Sequence, residues 1–367
     1  MRLLDLLHRW TGGLLGLVLA MLGLTGAILV HRFAWIRLPH AQDPLAGDVE
    51  TIAAATRKLM TEGGGKVDGI IYANPDFGLH LLRTGEGSGA YADQAGNLVA
   101  SWHSQWERPE LWIFDLHHHL LAGETGETVI GIAGLAAIFF VVSGTILWWR
   151  TRRTFEFRLW PARMSRPAIV MHHRDLGIVM APLLFLSALT GTMMIFKPVA
   201  NLVTAPFSSA AEVKQSMAPP KLTSGPLNPN LDLTALLRTA DRRFPGAEFR
   251  ILSLPSRPGA PITLRMRQQA EWLPNGRTTL WFDASTGQML AARDALTMPM
   301  GAQVFNTAYP LHAAKVGGLA YRLVMTLSGL AMALLGSFAV WTFWFKRPKK
   351  RPAPRPTAVL DQQAAAR

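Results

Sequence analysis

Residues 171–197 read MHHRDLGIVMAPLLFLSALTGTMMIFK, and this stretch decides how the chain is organised. It carries no charged residue from Leu176 to Phe196, which is long enough for a helix that crosses a bilayer. His173 stands at its entrance, and a Thr-Gly pair begins 17 residues later. The amino terminus repeats this arrangement, because a Thr-Gly pair again begins 17 residues after His8. The recurrence predicts an internal duplication.

The remainder of the chain follows the same twofold plan. His117 precedes Trp149 by 32 residues, and His312 precedes Trp344 by 32 residues, with an apolar run between them in both cases. A polar segment of soluble character lies before each of these histidines. Each half is therefore predicted to contain an outward helix, an extracytoplasmic domain, a histidine-bearing entrance and an inward helix.

Composition and charge place the chain in a lipid bilayer. Of 367 residues, 49% are apolar, the mean hydropathy is +0.18, and the net charge is +13. Seven arginines lie between Arg150 and Arg174, and five of the six residues from Lys346 to Arg351 are basic. Both clusters adjoin apolar helices, which is the pattern of cytoplasmic loops. We therefore expect cytoplasmic termini, a signal anchor that is retained at the amino terminus, and no nucleic-acid partner.

The predicted fold class is a membrane α-helical bundle of four transmembrane helices with two α+β periplasmic domains. The predicted segments are transmembrane helix 1 (1–31), the first periplasmic domain (45–105), an interfacial segment with transmembrane helix 2 (106–150), a basic cytoplasmic loop (151–171), transmembrane helix 3 (172–198), a linker (199–230), the second periplasmic domain (231–300), transmembrane helix 4 (308–346) and a disordered cytoplasmic tail (347–367). Helical spacing is found at 49–60 and 233–243. Strands are predicted at 67–72, 79–83, 90–92 and 98–101, and again at 249–254, 262–267, 278–282 and 288–292.

Histidine is the main candidate for metal chemistry, because the chain contains no cysteine and so no thiolate site or covalently attached haem. Eight of the eleven histidines lie at or near helix entrances: His8, His31, His117, His118, His119, His172, His173 and His312. The predicted topology places His8 and His173 at one depth on the cytoplasmic side. It places His117 and His312 at one depth on the opposite side. Two such pairs predict two bis-histidine b-type haems, because each haem iron takes an axial imidazole on either face.

Several rival ligands remain open. His31 lies 23 residues beyond His8, or about 34 Å along a helix, so it reaches the outer level and competes with His312. His172, His118 and His119 adjoin the proposed ligands. Methionine ligands are alternatives at Met21, Met180, Met193 and Met325, and zinc also accepts imidazoles, although zinc sites usually gather three or four ligands. Arg9 and Arg174 either pair with haem propionates or serve only as topology charges.

The sequence resembles the PepSY-associated transmembrane helix family, whose members are sometimes labelled iron-regulated membrane proteins. The resemblance covers about residues 1 to 346. It is carried by His8-Arg9-Trp10 with Gly12 and Thr25-Gly26, by Leu116-His117-x-x-Leu120 with Gly123-Glu124 and Gly126, by Ser143-Gly144 and Trp148-Trp149, by His173-Arg174-x-x-Gly177 with Thr190-Gly191, and by Leu311-His312.

The resemblance implies two periplasmic PepSY domains, residence in the bacterial inner membrane and, in the best understood branch, a di-haem ferric-siderophore reductase such as the ferrioxamine B reductase. The histidines of the family fall on His8, His117, His173 and His312. We expect an oxidoreductase that passes electrons to a periplasmic ferric siderophore. The expected donor is quinol or a cytoplasmic reductase, because the chain has no dinucleotide fingerprint.

Two alternative functions remain at this point: a haem reductase for another periplasmic acceptor, and a non-redox envelope module that binds a partner protein. For the reductase, candidate substrate contacts in the periplasmic domains are Trp102, His103, Trp106, Arg83 and Trp272.

Overall fold

A computed structural model of the chain describes residues 2–62, 67–85 and 87–345. The helices are α1 (Arg2–Val30), α2 (Arg32–Trp35), α3 (Val49–Glu62), α4 (Pro109–His119), α5 (Gly123–Trp149), α6 (Arg166–Ile195), α7 (Lys197–Thr204), α8 (Ala210–Met217), α9 (Leu233–Arg243), α10 (Met300–His312) and α11 (Gly318–Trp344). The strands are β1 (Gly69–Ile71), β2 (His80–Arg83), β3 (Gly89–Ala92), β4 (Leu98–Trp102), β5 (Glu248–Ser253), β6 (Ile262–Arg267), β7 (Thr278–Phe282) and β8 (Met289–Arg293). The predicted basic cluster at 346–351 and the predicted tail lie outside the described residues.

Helices α1, α5, α6 and α11 form the bundle of a membrane protein. Each has 27 to 30 residues and contains an 18-residue window with a mean hydropathy of 2.0 to 2.4. A 27-residue helix is about 40 Å long, which exceeds the hydrocarbon thickness of about 30 Å. The loop 151–165 joins α5 to α6 at one end of the bundle, which we call the loop end. All eight strands belong to segments at the other end, which we call the sheet end.

Glycines let α1 and α11 pack in close contact. A Cβ atom at Gly16 would lie 2.7 Å from the carbonyl oxygen of Gly336, and one at Gly329 would lie 2.6 Å from that of Gly23. Substituents at Gly23 and Gly336 would overlap the opposing carbonyl oxygens in the same way. Small residues at such contacts allow backbones to approach, which is how helices associate in lipid.

The two predicted α+β units share one antiparallel sheet of eight strands, ordered β4-β3-β2-β1-β5-β6-β7-β8. The two halves join where β1 pairs with β5, with Ile70 opposite Leu252. Helices α3 and α9 pack against the same apolar core, in which Leu59 and Leu237 are fully buried. One core therefore stabilises both halves.

The opposite face of the sheet is directed toward the bundle. Phe77, Tyr91 and Trp102 form a second apolar cluster with side chains from α2 and α4. An ion pair joins the β1–β2 loop to α11, because Arg322 donates to Asp76 at 2.6 Å. These contacts fix the sheet beside the ends of the membrane helices.

The observed elements follow the predicted ones closely, with additions. Helix α9 has the predicted bounds, and each strand of the second half begins within one residue of its predicted start. The predicted linker 199–230, however, contains α8 and most of α7. Helix α6 begins at Arg166, inside the predicted basic loop, and short helices α4 and α10 form the two entrances.

Candidate paired-histidine sites

The first pair of histidines lies at the loop end. His8 on α1 and His173 on α6 have ring centroids 6.3 Å apart and planes at 89°. Phe140 of α5 contacts His8 edge to face, with centroids 5.2 Å apart. His8 and His173 are 165 residues apart in sequence, and their helices bring the two imidazoles together. We call His8 and His173 the loop-end pair.

The second pair lies at the sheet end. His117 on α4 and His312, the last residue of α10, have ring centroids 6.1 Å apart and planes at 50°. His117 contacts Thr25 near the carboxyl end of α1. Thr25 lies about 26 Å beyond His8 along that helix, so this sheet-end pair and the loop-end pair occupy opposite ends of the bundle.

Hydroxyl groups fix the tautomer of one imidazole in each pair. The Thr25 hydroxyl donates to the carbonyl oxygen of Met21 at 2.8 Å, so it accepts from Nδ1 of His117, also at 2.8 Å. The Ser143 hydroxyl donates to the carbonyl oxygen of Phe139 at 2.6 Å and accepts from Nδ1 of His8 at 2.7 Å. With the proton on Nδ1, Nε2 carries the free lone pair that a metal requires.

His312 has the same tautomer for a simpler reason. Its Nδ1 lies 3.0 Å from the carbonyl oxygen of Ser187, which can only accept. The hydroxyl of Thr190 lies 3.3 Å from the same nitrogen. Three of the four paired imidazoles therefore present an unprotonated Nε2.

Glycines lie against three of the four rings. A Cβ atom at Gly26 would lie 3.2 Å from Cε1 of His117, and one at Gly191 would lie 3.0 Å from Cε1 of His312. At Gly144 the corresponding distance to Cε1 of His8 would be 3.5 Å. Each of these glycines directly follows a hydroxyl residue that contacts the same imidazole, so each Thr-Gly or Ser-Gly pair lets the ring lie close to the helix.

A cavity of about 630 Å³ surrounds the loop-end pair. Three glycines that line it have room for a side chain: Gly12 and Gly144 would place a Cβ no closer than 3.5 Å to any neighbour, and Gly177 would meet nothing within 4 Å. Its volume lies within the usual range of ligand sites, about 300–1,000 Å³. Its lining is mainly apolar, with the two imidazoles, three threonines and the charged residues Asp5, Arg9, Arg166 and Arg174.

The pairs fit a metal ion held between two imidazoles. Two metal–nitrogen bonds of about 2 Å, together with a ring radius of about 1 Å on either side, give about 6 Å between ring centroids. Both observed separations agree with this value. Iron in a b-type haem takes two such ligands, and the cavity at the loop-end pair leaves room beside its glycines for a macrocycle.

The neighbouring histidines are directed elsewhere. Nε2 of His31 lies 2.8 Å from the Thr326 hydroxyl, and Nδ1 of His172 lies 3.2 Å from the carbonyl oxygen of Arg158. His118 and His119 bond to each other at 3.0 Å, and His119 bonds to Asp115 at 2.9 Å. Ring contacts join His173 to His8 and His117 to His312, and His173 lines the cavity whereas His172 does not.

Arg9 and Arg174, the two arginines predicted from the sequence, both line the cavity but differ in exposure and in hydrogen bonding. Arg9 is about half exposed and lies 3.7 Å from Asp5. Arg174 donates to Asp175 at 2.7 Å and twice to Thr154 at 2.7 Å, so it already clamps the loop onto α6. Arg166, which sequence reasoning treated only as a topology charge, also lines the cavity.

The other candidate residues from the sequence either pack in the protein interior or are exposed on its surface. The four methionines Met21, Met180, Met193 and Met325 lie in apolar clusters. Trp102 is buried at 3% exposure, so its expected contact with substrate is corrected to a core contact, because it packs on Tyr91. Trp106, Trp272 and His103 are exposed.

Sequence reasoning missed the roles of Thr25, Ser143, Ser187 and Thr190. The constant spacing of 17 residues from His8 to Thr25 and from His173 to Thr190 was the available signal. The histidine that each threonine contacts belongs to a different segment, which spacing along one helix does not reveal.

Within residues 2–62, 67–85 and 87–345, no group of three or more His, Asp or Glu side chains could hold a metal ion. Comparison with protein families finds a match to the PepSY-associated TM region over residues 6–347. A search of curated proteins finds no match.

Proposed function

The chain belongs to the family of the PepSY-associated TM region, and from this premise we propose that it is an inner-membrane oxidoreductase. In this proposal it holds two bis-histidine b-type haems and passes electrons across the bilayer to ferric iron in a periplasmic siderophore. His8 and His173 hold one haem, and His117 and His312 hold the other. The internal duplication predicted from the sequence accounts for the presence of two equivalent pairs.

The observation that carries the proposal is the meeting of four imidazoles in two pairs at opposite ends of one bundle. A bound haem supplies a one-electron carrier at each pair. Thr25, Ser143 and the carbonyl group of Ser187 keep Nε2 free for the metal. The mainly apolar lining of the loop-end cavity suits a porphyrin, while Arg9 and Arg166, which also line it, supply cations for carboxylates.

Charge supports the proposed orientation. The loop 151–165 carries Arg152, Arg153, Arg158 and Arg163, and short basic loops stay in the cytoplasm. This orientation puts the loop end and both termini in the cytoplasm and the sheet in the periplasm of a bacterial cell. The loop-end pair then receives electrons from quinol or a cytoplasmic reductase, and the sheet-end pair delivers them.

The proposed reaction moves one electron to Fe(III) and yields Fe(II). The donor, quinol or a reduced cytoplasmic reductase, is oxidised by one electron for each iron. Hard oxygen donors bind Fe(II) more weakly than Fe(III), so the siderophore releases the metal.

Stopped-flow oxidation tests this function. The purified protein is reduced with dithionite, freed of excess reductant and mixed with a panel of ferric siderophores. We expect the Soret band to return to its oxidised position, with one Fe(II) trapped by ferrozine for each electron lost. If no ferric chelate oxidises the reduced haems but copper(II) or an oxyanion does, the protein has another acceptor.

A non-redox envelope module is the second candidate, and the edge of the sheet favours it. Strand β8 forms one edge, and its residues Met289 and Leu290 are exposed at 39% and 37%. Such an edge can accept a strand from a partner protein. A protein that stays colourless when produced with added haem would favour this function over the reductase.

A further inference from the structure

The face of the sheet that is directed toward the bundle carries a group of arginines. On β6, Leu264 and Met266 enter the core, so Arg265 and Arg267 lie on the opposite face. Pairing places Thr279 opposite Arg265 and Arg293 opposite Thr279, in one row across three strands. We call the bundle-side arginines Arg83, Arg250, Arg265, Arg267, Arg277 and Arg293 the arginine face.

Two of these arginines lie at the seam between the two halves. Arg83 of β2 lies over Gly69 of β1 and donates to the Ser253 hydroxyl of β5 at 3.3 Å. Arg250 occupies a bulge of β5 beside Ile251, which pairs with Arg265. Arg83 and Arg250 thus represent the two halves at the β1–β5 junction, whereas Arg265 donates to the carbonyl oxygen of Gly276, in the turn before β7.

Three of these guanidinium groups have unused donors. The Nε atoms of Arg83, Arg250 and Arg265 are buried and have no hydrogen-bond partner among the described residues. Arg250 is only 4% exposed as a whole residue. Burial of a charged donor without a partner is costly, so three such donors on one face favour an anionic acceptor there.

Carboxylates do not balance the arginine face. Glu248 lies 3.4 Å from Arg250 and from Arg267, and Glu271 is near enough to Arg265 and Arg277 to affect them electrostatically. Burial lowers the pKa of Arg250 and of Arg265 to about 10. Both side chains remain charged at neutral pH. Asp76 also acts on Arg250, but it is shared with Lys315 and Arg322, so six arginines face three carboxylates.

The arginine face lies next to the sheet-end pair. Nε of Arg277 donates to Asn306 at 3.2 Å, and Asn306 belongs to α10, the helix that ends at His312. Lys315, three residues after His312, and Arg322 bind Asp76 of the β1–β2 loop. A ligand held by these arginines would therefore lie beside the proposed electron outlet.

We propose that the arginine face binds the anionic oxygen groups of the ferric chelate, so the preferred substrate is a negatively charged catecholate or carboxylate complex. A guanidinium group donates two parallel hydrogen bonds to a carboxylate or a similar pair of anionic oxygens. A neutral hydroxamate complex lacks the negative charge that these arginines would balance. This inference rests on the proposed function, because it names the substrate class of that reductase.

Haem propionates at the sheet-end pair offer the same carboxylate chemistry, so the test must separate the two sources. Binding is measured by calorimetry on the full chain in nanodiscs of zwitterionic lipid, which supplies no anionic headgroup. The probes are a gallium(III) tris-catecholate trianion and a neutral gallium(III) tris-hydroxamate. Gallium(III) is not reduced under these conditions, so binding is observed without electron transfer.

We expect the wild type to bind the trianion at least tenfold more tightly than the neutral complex. R83Q and R265Q should each weaken trianion binding about tenfold, equivalent to about 1.4 kcal/mol, while R83K and R265K retain most of it. The control R242Q removes an exposed arginine from α9, on the other face of the sheet, and should change nothing. Melting temperatures confirm that each variant is folded.

Equal binding of both gallium complexes by the wild type would overturn the proposal. Unchanged trianion binding in folded R83Q and R265Q would also overturn it, and a lowered haem content in those variants would then assign the arginines to propionates. A wild-type protein that contains no haem but still binds the trianion through these arginines would count against the proposed reductase. It would leave the proposed anion site intact.

Discussion

Oγ1 of Thr25 on α1 lies 2.8 Å from Nδ1 of His117 on α4, so a hydroxyl in a membrane helix orients an imidazole from an entrance helix. Oγ of Ser143 contacts Nδ1 of His8 at 2.7 Å in the same way. In both contacts the hydroxyl donates its proton to a carbonyl group four residues earlier. The imidazole must then donate, which leaves Nε2 as the ligand.

Replacement of Thr25 by valine should weaken haem binding at the sheet-end pair. Outer contacts of a metal-bound histidine typically contribute about 10–100-fold in affinity, and valine keeps the shape of threonine but removes the acceptor for Nδ1 of His117. The rate of haem transfer to apomyoglobin measures this effect. T128V is the matched control, because Thr128 is exposed on α5 and its hydroxyl bonds only within that helix. Equal rates in T25V and T128V would contradict the role assigned to Thr25.

An alanine at Gly191 should disturb the sheet-end pair, whereas an alanine at Gly144 should leave the loop-end pair unchanged. The new Cβ would lie 3.0 Å from Cε1 of His312 in the first case and 3.5 Å from Cε1 of His8 in the second. Only the former requires the ring to move. Electron paramagnetic resonance of the oxidised protein separates the two haems, and we expect one low-spin signal to shift in G191A. A shift of similar size in G144A would show that ring contact does not decide the outcome.

A leucine at Gly177 should empty the loop-end site without disturbing the protein around it. A Cβ at this position meets nothing within 4 Å, and the position faces the cavity of about 630 Å³. We expect the haem content to fall from two per chain to one, with the melting temperature of the haem-free protein unchanged. Two haems per chain in folded G177L would mean that the cavity is not the haem site.

Local pattern predicts the elements well but not their assembly. Alternating apolar residues identified the strands of the second half, and the 3.6-residue period identified α9 with its observed bounds. Pairing of Ile70 with Leu252 joins strands that are distant in sequence, and no local signal specifies it. The predicted linker 199–230 overlaps α7, which begins at Lys197 and has Pro198 in its first turn, a position that proline tolerates.

The histidine pairs could be predicted because membrane topology fixes depth. The sequence predicts the pairs His8–His173 and His117–His312 because the two members of each pair lie at the same depth. The structure places the two rings of each pair next to each other. Depth alone does not exclude His31 as a ligand. The direction of its side chain depends on the turn between α1 and α2 and on its contact with Thr326. The cofactor itself, the acceptor and the sidedness remain predictions.

Acid should weaken the sheet through His80. This residue is buried at 3% exposure, its Nδ1 accepts from the amide of Ala73 at 2.9 Å, and burial lowers its pKa to about 4. The unfolded chain has a pKa near about 6.5 at this group, so it takes up the proton first as the pH falls. Stability is full above about pH 6.5 and decreases toward pH 4, by about 3 kcal/mol at most at 1.36 kcal/mol per pH unit.

Circular dichroism melting of wild type and H80N between pH 7 and pH 4 measures this contribution. Asparagine retains an acceptor for the amide of Ala73 but does not titrate, so H80N should lose the acid-dependent part of the decrease. H40N is the control, because His40 is exposed and bound to Asp43. An identical pH dependence in wild type and H80N would exclude His80 as the group responsible.

The haem-to-protein ratio of the purified full chain, measured by pyridine haemochrome in the wild type and in single alanine variants, tests the central claim most directly. The account predicts two b-type haems in the wild type and in H31A, and one haem in each of H8A, H173A, H117A and H312A. A wild-type protein that contains no haem when produced with an adequate haem supply, or a full haem content in all four paired variants, would contradict it.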